Sequence, residues 1–458
     1  LRAALEPVGG RWARWLRAAP EPRLALLGFG IVVLVLAAPL LHLRGSIWAG
    51  SLLRKDLVLA LLGAATLAYL AAVRLVLRAA PRSAGWVVAV AVVLRLGLLA
   101  TPPFMSSDIY RYVWDGRVQA AGINPYFYVP ADSALSGLRD GAIYPNINRP
   151  DYARTIYPPA AELLFGAVGA VNQSVFATKL MLLVLEACGM AALWHILGRT
   201  RLPRARLLIY AWNPLAVWSV AADGHVDGAA IGLLGLALLA RLVGRQGLSG
   251  ALLAGAILTK FLPAAIGPAL WRRGDWRMPA VCLVVMAALY GCYIGAGWRV
   301  LGFLPAYTSE EGLRQGSGFW ALGLLGRLVD PPRLVTPLYL AACILALCGA
   351  SAWMAFRQPE AADFRGEATR ICGNIGLLSA GTVAAMSPHY PWYYAWLALP
   401  CCVRPRRSVI FLSCAPLLLY CDPFHDDILF PTLVFVPALV LVAADLRWPI
   451  RADADAAA

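Results

Sequence analysis

The sequence predicts an all-α polytopic membrane protein of about 12–14 helices, and three observations carry that prediction. Of 458 residues 60% are hydrophobic and only 14% charged, against about 25% charged in a soluble domain. The mean hydropathy is +0.67. Apolar runs near the ~20 residues needed to cross a hydrocarbon layer recur along the whole chain. Together they exclude a soluble enzyme, a disordered chain and a small disulfide scaffold.

Taken in order, the runs fall at 24–43, 57–77, 84–101, 176–198, 207–221, 228–243, 278–296, 333–356, 371–387, 408–421 and 428–446. The stretch 248–271 is interrupted by Lys260 and Pro263, and 391–403 is a short run opened by Pro391. Broken helices are tolerated where protein or a cavity covers their freed backbone groups. Residues 1–23, with five arginines ahead of the first run, read as a cytoplasmic leader. The pattern describes one membrane domain, 1–458, with a long polar segment at 102–175 after the third span and a second at 297–332. Residues 159–171 are apolar but too short to span, so they lie flat or re-enter.

Charge sets the orientation. The net charge is +15, but only Lys55, Lys179 and Lys260 are lysines, and the arginines cluster between apolar runs rather than along an aromatic-lined basic groove. Nucleic acid is therefore not the partner; orientation is what such clusters serve. Alternate loops placed inside carry 23 Lys and Arg with 8 acids; those placed outside carry 11 with 15. Both termini are then cytoplasmic and 102–175 is extracytoplasmic. Ten cysteines sit mostly within apolar runs, which argues against a disulfide framework, and no pair has zinc-site spacing.

Chemistry concentrates in the long polar segment. It opens Met105-Ser-Ser-Asp108-Ile-Tyr-Arg111-Tyr-Val-Trp-Asp115-Gly-Arg117. Ser106 or Ser107 can cap a helix there, placing Asp108, Arg111 and Asp115 along one face. A carboxylate steadied by Arg111 suits general-base work on a hydroxyl; the same spacing fits a solvated amphipathic helix. The loop continues through Asn124-Pro-Tyr126, Leu138-Arg139-Asp140, Tyr144-Pro-Asn-Ile-Asn148 and Thr155-Ile-Tyr157-Pro-Pro. That is a rigid lining with hydrogen-bonding edges, or an ordered Pro-rich loop without ligand.

The run SSDIYRYVWDGRVQAAGINPYFYVP, followed by TIYPP, resembles the first large outer loop of GT-C glycosyltransferases. It is most similar to the bacterial polyprenyl-phosphate-mannose-dependent mannosyltransferases. Trp212-Asn-Pro214 leading to Asp223-Gly-His225-Val-Asp227, the Leu258-Thr-Lys260 break and Ser387-Pro-His389-Tyr-Pro-Trp392 agree in order. Many GT-C enzymes carry this loop after their first span, whereas two further spans precede it here, which places the match with the longer bacterial branch. The resemblance implies a GT-C fold in a bacterial inner membrane and transfer of a sugar, mannose foremost, from a polyprenyl-phosphate donor. The receiving group is a hydroxyl of an extracytoplasmic glycan or lipid, with inversion at the anomeric carbon.

It also implies Asp108 as the base, whose position at a helix N-terminus favours the charged form. The departing phosphate then needs cations: Arg95, Arg111, Arg117, Lys260 and His389 are the candidates. Arg95 and Lys260 fit equally a buried pair with an acid such as Glu186, or snorkelling, and His389 fits an interfacial histidine. Asp115, Asn124, Tyr126, Tyr157, Asp223, His225 and Asp227 are candidates for sugar or acceptor binding. Asp223, His225 and Asp227 converge on one turn on paper, but a monophosphate leaving group does not demand a metal, and no cofactor is expected. Trp392, Tyr393 and Trp396 read as an interfacial belt. The alternative function is a secondary transporter or a lipid-linked glycan flippase. Its mark would be repeated halves with interrupted helices at matching positions.

Overall fold

The computed structural model describes residues 20–41, 52–329, 332, 334–422, 428–448 and 450. The leader expected at 1–23 lies outside these residues up to 19, as does the chain from 451. Among the described residues all regular structure is helical.

The longer helices are α1 (Pro20–Ala37), α2 (Leu52–Ala79), α3 (Ala84–Leu99), α4 (Asp108–Ala120), α5 (Pro159–Gly169) and α6 (Val175–Arg199). They continue with α7 (Asp227–Leu242), α8 (Gln246–Thr259), α9 (Arg277–Gly291), α10 (Val335–Phe356), α11 (Phe364–Met386) and α12 (Leu429–Arg447). Helices α6 to α9 pack successively side by side, and α1 packs on α2 and α3. Stretches at Pro20–Leu40, Lys55–Ala79, Val175–Arg199 and Val335–Phe356 are long and apolar enough to cross a membrane. Their outward faces carry exposed Leu26, Phe29, Leu67, Leu338 and Leu345, a surface suited to hydrocarbon rather than water.

Fewer of the predicted runs than expected form straight spans. The run at 207–221 is not one helix. It divides into Leu208–Ala211, Pro214–Val217 and a π-turn at Trp218–Ala222, all buried at the centre of the bundle. Asn213 explains the division. Its side chain accepts the Leu215 and Ala216 amide protons as an N-cap and donates to Ser413, so a new helix starts at Pro214. The chain then bends by 118° before α7. A second bent pair, Arg277–Gly291 with Ile294–Glu310, turns by 105°, where one span was expected over 278–296.

Other expectations hold locally. Helix α8 stops at Thr259 and Lys260 is extended (φ −156°, ψ 133°), the predicted break. The apolar run 159–171 is the short helix α5. It lies against α4 at a glycine crossing: a Cβ at Gly116 would stand 2.4 Å from the Phe165 carbonyl oxygen, and one at Gly169 2.4 Å from that of Gly116. Helix α4 is therefore not the solvated amphipathic helix its spacing also allowed. Ile109, Arg111, Tyr112, Val113, Trp114 and Asp115 are all buried.

Candidate functional site

A cavity of about 1370 Å³ lies where 102–112, 146–158, 259–265, 303–318 and 386–393 meet. It exceeds the ~300–1,000 Å³ that serves one drug-sized ligand. Asp108, Lys260, Tyr157 and His389 all line it.

Asp108 opens α4 from its wall. Ser107 occupies the cap position without a side-chain cap bond; the Asp108 amide donates instead to Ser106 Oγ at 3.2 Å. The carboxylate accepts a hydrogen bond from Asn148 Nδ2 at 2.8 Å, and His225 Nδ1 lies 3.7 Å from its other oxygen. It keeps 21% of its side-chain surface. Burial raises the Asp108 carboxyl above the usual aspartate range, against the opposing pull of Lys260, Asn148 and Arg149. Desolvation is the largest influence on this carboxyl and acts against the helix N-terminus, which favours the charged form. Arg111 does not steady Asp108 as expected. Its guanidinium is held by Asp115 at 2.9 Å and by the Ala153 carbonyl.

Lys260 emerges at the helix break because its amide is the last to bond back into α8. Its ammonium pairs with Asp227, the first residue of α7, at 2.6 Å and stands 3.9 Å from the Tyr393 ring centroid, a cation–π position. The turn 223–227 that delivers Asp227 depends on Gly224, which takes φ +72°. Behind it His225 is buried and stacked on Trp392 at 4.0 Å.

The remaining predicted residues separate. Arg95 forms a buried ion pair with Glu186 at 2.7 Å, away from the cavity lining. Arg117 pairs with Asp140 at 2.8 Å and reaches the Leu138 carbonyl. Asp115 is held by Arg111. Asn124 caps the Tyr126 turn, and the buried Tyr126 hydroxyl donates to the Tyr157 carbonyl. The on-paper convergence of Asp223, His225 and Asp227 is undone by the bend. Asp223 accepts the Phe104 and Met105 amides while Asp227 faces Lys260. His389 Nδ1 lies 3.4 Å from Glu311, a carboxylate that disfavours a second anion there. Trp392 and Tyr393 line the cavity rather than forming an interfacial belt, because the Pro391–Leu397 turn folds them inward.

Sequence reasoning passed over Asn148, Arg149 and Glu311 as site residues. Asn148 closes the Tyr144–Asn148 run and Arg149 follows it, while Glu310 and Glu311 lie in the second polar segment. Their joining, through an ion pair between Arg149 and Glu310, has no signature in either segment alone.

Comparison with known proteins places the chain first by class, among mannose-transferring glycosyltransferases. Residues 16–271 match the N-terminal domain of the alpha-(1->6)-mannopyranosyltransferases, the MptA_B family. The match spans more than half of the chain, which belongs to that family. A search of curated proteins and a search of solved structures each gave no match. The matched range contains Asp108, Asn148, His225, Asp227 and Lys260. The cavity walls at 303–318 and 386–393 lie beyond it.

Proposed function

We propose that the protein transfers mannose from a polyprenyl-phosphate donor to a hydroxyl of an extracytoplasmic glycan or lipid, inverting the anomeric carbon, with Asp108 as general base. The observation that carries this reading is Asp108 and Lys260 on the wall of one large cavity. Asp108 takes the acceptor hydroxyl proton as that oxygen attacks the anomeric carbon. The bond from that carbon to the phosphate oxygen breaks, and polyprenyl phosphate leaves with the bonding pair. Lys260 meets the developing charge, and Arg154, exposed on the cavity wall, is a second cation for the phosphate. The family's description supports an alpha-(1->6) product linkage.

The fold suits a GT-C enzyme of a bacterial inner membrane, with the cavity extracytoplasmic and both termini cytoplasmic. The loop charge balance supports that orientation. The test is purified protein in liposomes, supplied with radiolabelled polyprenyl-phosphate mannose and a mannose-terminated acceptor, with the product anomer read by NMR. Labelled product of inverted configuration is expected from wild type and not from Asp108→Asn. Label crossing the bilayer without transfer would overturn the reading in favour of transport.

A further inference from the structure

Asn148, whose amide holds Asp108, is followed by a residue in an unusual conformation. Arg149 has φ +52°, in the left-handed region that non-glycine residues seldom enter. Pro150 after it disfavours the right-handed helical region, but nothing in the dipeptide itself selects the left-handed one. Such positions persist where the surroundings over-determine them.

The surroundings here include a second segment 161 residues away. Arg149 Nε donates to Glu310 Oε1 at 2.7 Å. Glu310 ends the helix Leu304–Glu310, where a carboxylate meets the unfavourable end of the helix dipole and needs a cation to hold it. That helix is itself fixed to the Arg149 side of the cavity. The Phe303 amide donates to the Thr155 carbonyl at 3.2 Å, and Tyr152 packs edge-on against Phe303 at 5.6 Å. The Ala153 amide bonds back to the Arg149 carbonyl at 3.2 Å, closing the turn.

We propose that Glu310 and Arg149 are positioning residues for Asp108: their ion pair holds the left-handed turn that aims the Asn148 amide at the carboxylate. The second polar segment thereby tunes the base without touching it. The inference rests on Asp108 being the base.

The groups facing Asp108 from other elements are Lys260 and Asp227 at the ends of α8 and α7, His225 in the intervening turn, and Arg149. The phenols of Tyr112, Tyr157, Tyr393 and Tyr420 also stand within its field. All but Arg149 are left in place by the variants below, so a shift reports on the Asn148 turn and the Arg149 charge.

The experiment measures kcat, donor KM and the pH profile of kcat for Asn148→Ala, Glu310→Gln, Arg149→Gly and Arg149→Lys beside Asp108→Asn. Glycine adopts the left-handed turn freely but lacks the ion pair; lysine keeps the charge. Asn148→Ala, Glu310→Gln and Arg149→Gly are expected to lower kcat by roughly 10- to 100-fold with donor KM little changed. Asn148→Ala and Arg149→Gly should also move the acidic limb of the profile to higher pH, by about one unit, because each loses an interaction that favours the ionised base. In Glu310→Gln the slackened Asn148 bond acts in that direction and the loss of an anion against it, so the shift is smaller. Arg149→Lys should recover most of the wild-type kcat. Wild-type kcat and pH profile in Glu310→Gln and Arg149→Gly, with Asp108→Asn inactive, would overturn the positioning role and leave the base intact. A raised KM at unchanged kcat would make the pair a substrate ligand and equally overturn it. An active Asp108→Asn would remove the base, and with it this inference. Should Glu310→Gln not fold, the contrast of Arg149→Lys with Asn148→Ala decides.

Discussion

Arg95–Glu186 and Lys260–Asp227 are both cation–carboxylate pairs in an apolar bundle, yet their settings are opposite. Arg95 is saturated. Two of its nitrogens meet Glu186 at 2.7 and 2.9 Å, a third donates to the Ala211 carbonyl, and Tyr210 donates to the same carboxylate at 2.6 Å. Its side chain is 6% exposed and that of Glu186 is fully buried. Lys260 has one carboxylate partner and an aromatic face, and 16% of its side chain opens to the cavity. An ammonium has three donors, which leaves capacity for a phosphate oxygen. A buried charge is therefore informative about function only when its partners are counted. Arg95 holds α3 against α6, whereas Lys260 stands at a helix end on the cavity wall.

Four measurements break or sharpen that contrast. The largest effect is expected beside the open pair. Asp108→Asn should fold and bind donor but lose a factor of about 10²–10⁴ in transfer rate, read as kcat with saturating donor. Retention of more than about a tenth of turnover would exclude it as the base.

Next comes the closed pair. Arg95→Gln leaves Glu186 buried without its counter-ion and should cost about 3–5 kcal/mol of stability, seen as a lowered thermal midpoint in detergent. The folded fraction should keep wild-type donor KM. A raised KM at normal stability would make Arg95 a phosphate ligand after all and erase the contrast.

Lys260→Gln should act on transfer as well. In the folded fraction it is expected to lose a charge-assisted bond of ~1.5–3 kcal/mol to the leaving group, or roughly 10- to 100-fold in kcat/KM for the donor, besides the stability lost by leaving the buried Asp227 without its counter-ion. Wild-type kcat/KM for the donor in the folded Lys260 variant would mean that the two pairs do the same job.

The smallest effect belongs to a more exposed pair, Arg117–Asp140, whose carboxylate side chain is 36% exposed. Arg117 holds the Asp140 carboxyl below the usual aspartate range. A depressed pKa stabilises the folded state above the unfolded value, so the contribution is present at neutral pH. It fades as pH falls below about 4. Exposure and screening limit it to about 0–1 kcal/mol. Asp140→Asn should therefore shift the thermal midpoint slightly at pH 7 and by less near pH 2. A large shift at both would place the residue in a tertiary role.

Local features were legible from the sequence for physical reasons. Ser106-Ser107-Asp108 ahead of a helical pattern gave the start of α4, and Lys260 with Pro263 gave the end of α8, because caps and breakers act within a turn. The short apolar run before Asn172 gave α5 because its length forbids a crossing. The run at 207–221 misled, since an apolar stretch buried at the centre of a bundle has the same composition as a span. Asn213 and Pro214 mark the break, but only the pairing of Asn213 with Ser413 makes it stable.

The sequence by itself determined the membrane class, the long polar segment at 102–175, the helix that begins at Asp108 and the family resemblance that 16–271 bears out. Each depends on composition or on neighbours within a few residues. The tertiary structure alone decided which cation takes which acid. Arg111 chose Asp115 over Asp108, Arg95 chose Glu186, and Arg149 chose Glu310 from a segment 161 residues away. Any arginine side chain can reach several carboxylates in principle. The one it takes is fixed by which helices pack together, and in an apolar bundle a charge left without its partner is too costly to remain.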